Sequence, residues 1–148
     1  MGLITKVGQQ SSQDLVERGL TMNDLFISYA HIDDLPISED QRGWITEFQR
    51  ILENRLAQLM GEKPKIWRDQ KLSGSDIFDE QIVEQFKNTK LMVSILSPRY
   101  VKSEWCNKEL TEFYKNAEET GGVAVAGKSR VLKVVKTPFD PDEVQPEL

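Results

Sequence analysis

LMVSILS, residues 91–97, is the most continuous apolar run of the sequence. Side chains alternate between the two faces of a sheet along a strand, so an uninterrupted apolar run indicates a strand that is covered on both faces. Such strands are typical of the centre of a parallel sheet, where crossover helices cover both sides. The run therefore predicts an α/β domain with residues 91–97 as its central strand.

Strand-like and helix-like segments alternate along the chain from Asn23. The helix-like segments carry apolar residues three and four positions apart, which places those residues on one face of a helix. This alternation predicts right-handed crossovers and a parallel sheet with helices on both faces. The expected strands are 24–30, 65–67, 91–97 and 130–135, and the expected helices are 41–60, a helix that begins at Ser75 or Asp76 and includes Phe86, and 103–119.

The carboxyl ends of the predicted strands indicate where a ligand would bind. In an open parallel sheet, ligands bind in the crevice outside these ends. The ends here are residues 28–30, residues 67–69 and Ser97, which precedes a turn at Pro98. A site is therefore expected between the first loop, the loop 68–76 and the start of the third helix.

The composition excludes several classes of protein. The chain has 148 residues, enough for one domain with a sizeable core. Its net charge of −5 argues against a nucleic-acid surface driven by phosphate contacts. The single Cys106 excludes an internal disulfide, and with only His31 beside it a structural zinc site is not expected. No apolar run reaches the about 18 residues of a membrane-spanning helix, and a cytoplasmic location is expected.

SEWCNKEL, residues 103–110, opens the predicted third helix and places Trp105 and Glu109 on one side of it. Glu109 falls at the edge of an apolar stripe, where a carboxylate near the strand ends would be partly desolvated. The alternative is a surface glutamate paired with a lysine, and helix geometry alone favours that alternative. The stripe consists of Cys106, Leu110, Phe113, Tyr114 and Ala117.

Other candidate chemistry is weaker. His31 has the chemistry of a general base, but no serine or cysteine nucleophile can be placed against it, which favours a loop or capping role. Cys106 lies on the apolar stripe and is interpreted as a small core residue. The sequence contains neither G-x-x-x-x-G-K-[ST] nor G-x-G-x-x-G, which argues against a P-loop and against a dehydrogenase-type dinucleotide fold.

Three boxes in order resemble the Toll/interleukin-1 receptor (TIR) domain, and more closely its bacterial members. They are DLFISYAHIDD (24–34), IWRDQKLSGSDIFDEQI (66–82) and LMVSILSPRYVKSEWCNKEL (91–110). The resemblance implies a flavodoxin-like parallel sheet, although the family's fifth strand and last helix have no counterpart after Val135. It covers a TIR domain at 23–137. Residues 1–22 are then expected to be a flexible or non-native leader, and 138–148 a Pro-rich acidic tail or a linker to a further domain.

The resemblance also implies a function. Many family members cleave NAD into nicotinamide and ADP-ribose, or a cyclic form of it, when they self-assemble. A role in bacterial defence against phage is the corresponding expectation, with NAD as substrate, homotypic assembly, and no cofactor or metal. The alternative is a non-catalytic adaptor or a module that mimics host TIR domains.

The same resemblance assigns roles to individual residues. The W-x-x-x-E frame of the enzymes matches Trp105 and Glu109, which makes Glu109 the expected catalytic residue. The loop after the second strand is the family's self-association element. The expected substrate-binding residues are Trp105, Ser28, Tyr29, Ala30, Trp67, Arg68 and Lys71, and the expected self-association residues are Asp69, Leu72 and Gly74.

Overall fold

A parallel sheet of four strands lies at the centre of the computed structural model, which describes residues 23–68, 85–125 and 127–144. The strands within the described residues are β1 (Asn23–Ser28), β2 (Ile66–Trp67), β3 (Thr89–Leu96), β4 (Ala124–Val125), β5 (Lys128–Ser129) and β6 (Val131–Val135). The strand order of the sheet is β2-β1-β3-β6, and all three neighbouring pairs are parallel. This confirms the predicted α/β fold, with residues 91–96 in the central strand β3 and Ser97 just after it.

The helices connect these strands as predicted, with one addition. The described helices are α1 (Trp44–Met60), α2 (Pro98–Lys102) and α3 (Glu104–Glu119). The expected turn at Pro98 is the short helix α2, because the Ser97 side chain caps its first turn by accepting from the Tyr100 backbone N–H. Ser103 caps α3 in the same way, through the Cys106 N–H. Residues 85–87 are helical, and the rest of the predicted second helix lies outside the described residues.

Each face of the sheet is covered by a different helix. Alternate residues of β1 and β3 separate into two apolar clusters, as the two-residue period of a strand requires. The cluster between the sheet and α1 consists of Leu25, Ile27, Tyr29, Ile45, Val93 and Ile95. The cluster between the sheet and α3 consists of Phe26, Phe86, Met92, Leu110, Phe113, Ala117 and Val131.

The chain after β6 returns to the domain. Phe139 packs against a third cluster, formed by Ala30, Leu96, Tyr100 and Cys106. Glu143, in a 3-10 turn at Pro141–Glu143, forms an ion pair with Lys102 at 3.3 Å. Residues 138–144, expected from sequence to be a tail or linker, therefore contact α2 and the strand ends. None of the described helices is long and apolar enough to cross a membrane.

Candidate functional site

Glu109 lies on the buried side of α3 and is only 3% exposed. The helix buries a wider face than its apolar stripe predicts, because Glu109 and Asn116 are buried together with Leu110 and Phe113. The structure therefore disagrees with the surface position that helix periodicity alone favours for this glutamate. A carboxylate in such an environment requires compensating groups, since burial of an isolated charge is costly.

Two other titratable side chains lie within electrostatic range of Glu109. Burial raises the pKa of Cys106 to about 12, and the negative charge of Glu109 contributes further. Burial also raises the pKa of Tyr100, to which Cys106 and then Glu109 add smaller effects. Cys106 is therefore a neutral thiol near pH 7, which excludes a thiolate nucleophile at this position.

Ser28 and Ala30, alternate residues at the end of β1, lie on the same face of the sheet as α3. Ser28 is fully buried, and its Oγ lies 2.8 Å from the Tyr100 hydroxyl. Ala30 packs in the same cluster as Tyr100 and Cys106. Ser28 and Ala30, both predicted site residues, therefore lie on the α3 face with Glu109.

Two tryptophans lie on the same face. Trp67 stacks on Phe26, with ring centroids 4.8 Å apart and an interplanar angle of 28°. Trp105 packs against the cluster that contains Phe26 and Leu110. Both rings are half-buried, so each presents part of its surface outside the core. The structure thus brings Trp67 and Trp105 to one apolar cluster on the face of Glu109.

Tyr29 and Arg68 lie on the opposite face, under α1. Tyr29 belongs to the cluster of Ile45, and the Arg68 guanidinium lies over its ring at 5.6 Å. The Arg68 side chain is 12% exposed and forms an ion pair with Asp34 at 3.3 Å. It also donates from Nη2 to Thr46 Oγ1 at 3.0 Å. Binding of a diphosphate by Arg68 would compete with these contacts.

Two consecutive aspartates fix the first loop over the ends of the strands. The 3-10 turn His31–Asp34 follows β1 directly. Asp33 accepts a hydrogen bond from Ser97 at the end of β3 and lies 3.8 Å from Lys136, just after β6. Asp34 accepts from the Thr46 backbone N–H and hydroxyl, each at 2.7 Å, and thereby caps α1. The two carboxylates connect the turn to α1 and to the ends of β2, β3 and β6.

Gly43 provides the space that this arrangement needs. A Cβ atom at this position would lie 1.8 Å from the Asp34 carbonyl oxygen and 2.3 Å from its Oδ1. We expect Gly43→Ala to lower the free energy of unfolding by about 1–3 kcal/mol, the usual cost of overpacking. Urea unfolding is the measurement, with Gln41→Ala, at an exposed position of the same segment, as the control. Equal midpoints for the two variants would contradict the close approach.

The pKa of Cys106 gives the protein a stability that depends on pH. Because the folded pKa is raised from 9.0 to about 12, the folded state keeps its thiol proton where the unfolded chain loses it. This stabilisation is complete below about pH 9 and is lost as the pH rises towards 12. We expect Cys106→Ala to lose less stability than the parent protein between pH 9 and 11 in urea titrations. Parallel losses in the two proteins would contradict the assignment.

Of the remaining residues singled out from the sequence, the structure describes His31 but not the four in the loop after β2. His31 packs edge-on against Tyr29, with ring centroids 5.2 Å apart, inside the 3-10 turn. No group of three or more His, Cys, Asp or Glu residues able to hold a metal occurs among residues 23–68, 85–125 and 127–144. Asp69, Lys71, Leu72 and Gly74 lie outside the described residues.

Sequence reasoning did not single out two features of this region. One is Tyr100, whose hydroxyl bonds to Ser28 and Ser94. The other is the pair Asp33 and Asp34, although two adjacent acidic residues in the turn that follows β1 were a usable signal. Their partners come from distant segments, which a pattern along the chain does not reveal.

Comparison with known proteins places the chain in a family. The family model of the TIR domain matches residues 25–126. Among solved structures, the TIR domains in the activated Roq1 resistosome directly recognizing the pathogen effector XopQ match with 20% identity and a TM-score of 0.48, over 76% of this chain and 57% of that chain. The chain thus spans little more than half of that structure's length. No curated protein matches the chain. Because the family model covers more than half of the chain, including three of the four strands of the sheet as well as α1 and α3, the chain belongs to the TIR domain family.

Proposed function

We propose that this TIR domain cleaves the bond between nicotinamide and ribose in NAD, with Glu109 as the catalytic residue. The observation that carries the proposal is the burial of Glu109 at the carboxyl edge of the sheet, in the W-x-x-x-E frame with Trp105. A carboxylate held out of water stabilises nearby positive charge far more strongly than an exposed one. An exposed glutamate at this position would have favoured a surface role.

The reaction requires only one carboxylate. Glycosidases use two, because a sugar leaving group must be protonated as it departs. Nicotinamide in NAD is a cationic pyridinium, and the electron pair of the broken C–N bond leaves it neutral. Water then adds to the ribose carbon and releases one proton, which gives ADP-ribose. Attack by an adenine nitrogen instead of water gives the cyclic product. Glu109 stabilises the oxocarbenium-like ribose and orients the attacking group.

The α3 face supplies the surroundings of the substrate in this proposal. Ser28 and Ala30, which both contact Tyr100, form the wall on the side of Glu109, and Trp67 and Trp105 provide aromatic surfaces for the rings. Tyr29 and Arg68 act from the other face, by holding the first loop in place. Lys71 remains a predicted diphosphate contact.

The burial of Glu109 also supports a requirement for assembly. At 3% exposure the carboxylate is not open to a ribose, so substrate contact requires that the groups around it move. Homotypic assembly through the predicted loop residues Asp69, Leu72 and Gly74 would supply that change. The biological role we propose is depletion of NAD in bacterial defence against phage.

A non-catalytic adaptor is the second candidate, and one observation favours it. The last turn of α1 exposes two adjacent large apolar side chains, Leu59 at 67% and Met60 at 44%. Exposed apolar residues grouped on one helix are typical of surfaces that bind other proteins. Such a surface serves an adaptor as well as an enzyme that works in an assembly.

Nicotinamide release from NAD distinguishes the two candidates. The protein is assayed at increasing concentration and with a crowding agent, while light scattering reports assembly. We expect turnover to appear together with assembly. Assembled protein that releases no nicotinamide would favour the adaptor. Chromatography of the products separates ADP-ribose from its cyclic form.

A further inference from the structure

Three buried hydroxyl groups lie beneath the carboxyl ends of β1 and β3. Ser28 and Ser94 are register partners in the two neighbouring strands, and both are fully buried. The Tyr100 hydroxyl, on α2, lies 2.8 Å from Ser28 Oγ and accepts a hydrogen bond from Ser94 Oγ at 2.7 Å. Tyr100 is itself fully buried. We refer to Ser28, Ser94 and Tyr100 as the hydroxyl cluster.

Stability alone does not explain this cluster. Each buried hydroxyl loses its hydration, and a mutual hydrogen bond returns only about 0.5–1.5 kcal/mol net. Replacement of both partners by apolar groups of similar shape is often nearly neutral. The rest of this environment is apolar, with Ala30, Leu96 and Cys106 around the Tyr100 ring. An all-apolar core would therefore serve the fold here equally well.

The hydroxyl cluster lies between the end of β1 and the start of α3, the two elements that carry the candidate site. Ser28 leads directly into Ala30 and the first loop, whereas Tyr100 precedes α3 by only a few residues. Tyr100 packs against Cys106, which lies about one turn before Glu109 on the buried face of α3. The hydroxyl cluster thus connects the end of β1 to the region of Glu109 by directional bonds.

We propose that Tyr100 is a positioning residue, whose hydroxyl fixes the distance between Glu109 and the Ser28–Ala30 wall. This inference rests on the function proposed above. Hydrogen bonds fix orientation more sharply than apolar contacts do, and a misplacement of about 1 Å in an active site costs up to about a hundredfold in rate. Loss of the hydroxyl affects the positioning of the carboxylate more than the capture of substrate.

Tyr100→Phe tests this with a single atom removed. We expect kcat for nicotinamide release, corrected for the folded fraction, to fall about tenfold, while KM stays within about twofold. Tyr114→Phe removes a hydroxyl from a half-buried tyrosine on α3 and is the matched control. A kcat for Tyr100→Phe within twofold of the parent, or a loss confined to KM, would overturn the proposal.

A second readout does not require turnover. NMR chemical shifts of the Glu109 side chain are compared between the parent, Tyr100→Phe and Tyr114→Phe. We expect the Glu109 signals to move in Tyr100→Phe and not in the control. Unchanged Glu109 signals would overturn the positioning role. Absence of turnover in the assembled parent protein would instead overturn the proposed function, while the NMR result still decides whether Tyr100 acts on Glu109.

Discussion

Glu109→Gln is expected to lower kcat for nicotinamide release by about a thousandfold, the largest effect on activity that we predict. The amide keeps the size of the side chain but carries no negative charge. The positive charge that develops on the ribose therefore loses its counter-charge in a buried environment, where such interactions are strongest. The assay is single-turnover release of nicotinamide from assembled protein.

Glu118→Gln is the matched control for this variant. It makes the same chemical change on the same helix, at an exposed position. We expect it to retain full activity, and we expect both variants to assemble as the parent does. Turnover by Glu109→Gln within tenfold of the parent would remove Glu109 from the catalytic role and, with it, the main support for the enzyme assignment.

The sheet was predictable because its signals are local. Residues 91–96 belong to β3, a strand with both faces covered, which an uninterrupted apolar run indicates directly. The end of α1 was equally clear, since Gly61 adopts a left-handed conformation with φ of 77°. The pair of β4 and β5 was not predicted, because strands of two residues are too short to show a period.

The two-residue period of a strand contained information about the site that the sequence interpretation did not use. Ser28 and Ala30 lie on one face and Tyr29 on the other, because the alternation of β1 continues for two residues past its end. Trp67 at the end of β2 and Arg68 just after it are separated in the same way. The predicted substrate residues therefore divide between the two faces, and only those on the α3 face lie with Glu109.

The burial of Glu109 was not predictable from α3 alone. The width of a helix's buried face depends on which segments cover it, and those segments are distant in sequence. Here Tyr100 from α2 packs against Cys106, about one turn before Glu109 on the same buried face. The family resemblance identified Glu109 through its motif, whereas the helical pattern favoured the wrong environment for it.

Arg130→Met is expected to have the largest effect on stability, a loss of at least about 3 kcal/mol in the free energy of unfolding. Arg130 is 9% exposed and donates to the carbonyl oxygens of Thr89 and Lys90, at 3.0 and 2.9 Å. Its Nη1 also donates to the Gly122 carbonyl and the Thr120 hydroxyl, each at 3.2 Å. Hydrogen bonds from a charged donor contribute about 1.5–3 kcal/mol each.

The reason for this large effect is that one guanidinium joins three segments: its own, just before β6, the start of β3, and the turn after α3. It also lies over the Phe113 ring at 5.7 Å. Methionine fills much of the same volume but leaves these carbonyl groups without a donor. Lysine keeps the charge but has no planar fork to reach both sides, so Arg130→Lys should lose an intermediate amount.

Lys128→Met separates this network from a simple change of charge. Lys128 is exposed on β5, two residues away, and its substitution alters the net charge by the same amount. We expect its midpoint in urea to stay close to that of the parent protein, because surface substitutions usually change stability by less than about 0.5 kcal/mol. If Arg130→Met were no less stable than Lys128→Met, the guanidinium contacts would contribute little to the free energy of unfolding. Since methionine has no donor for the backbone carbonyl groups that Arg130 contacts, we expect the two variants to differ clearly.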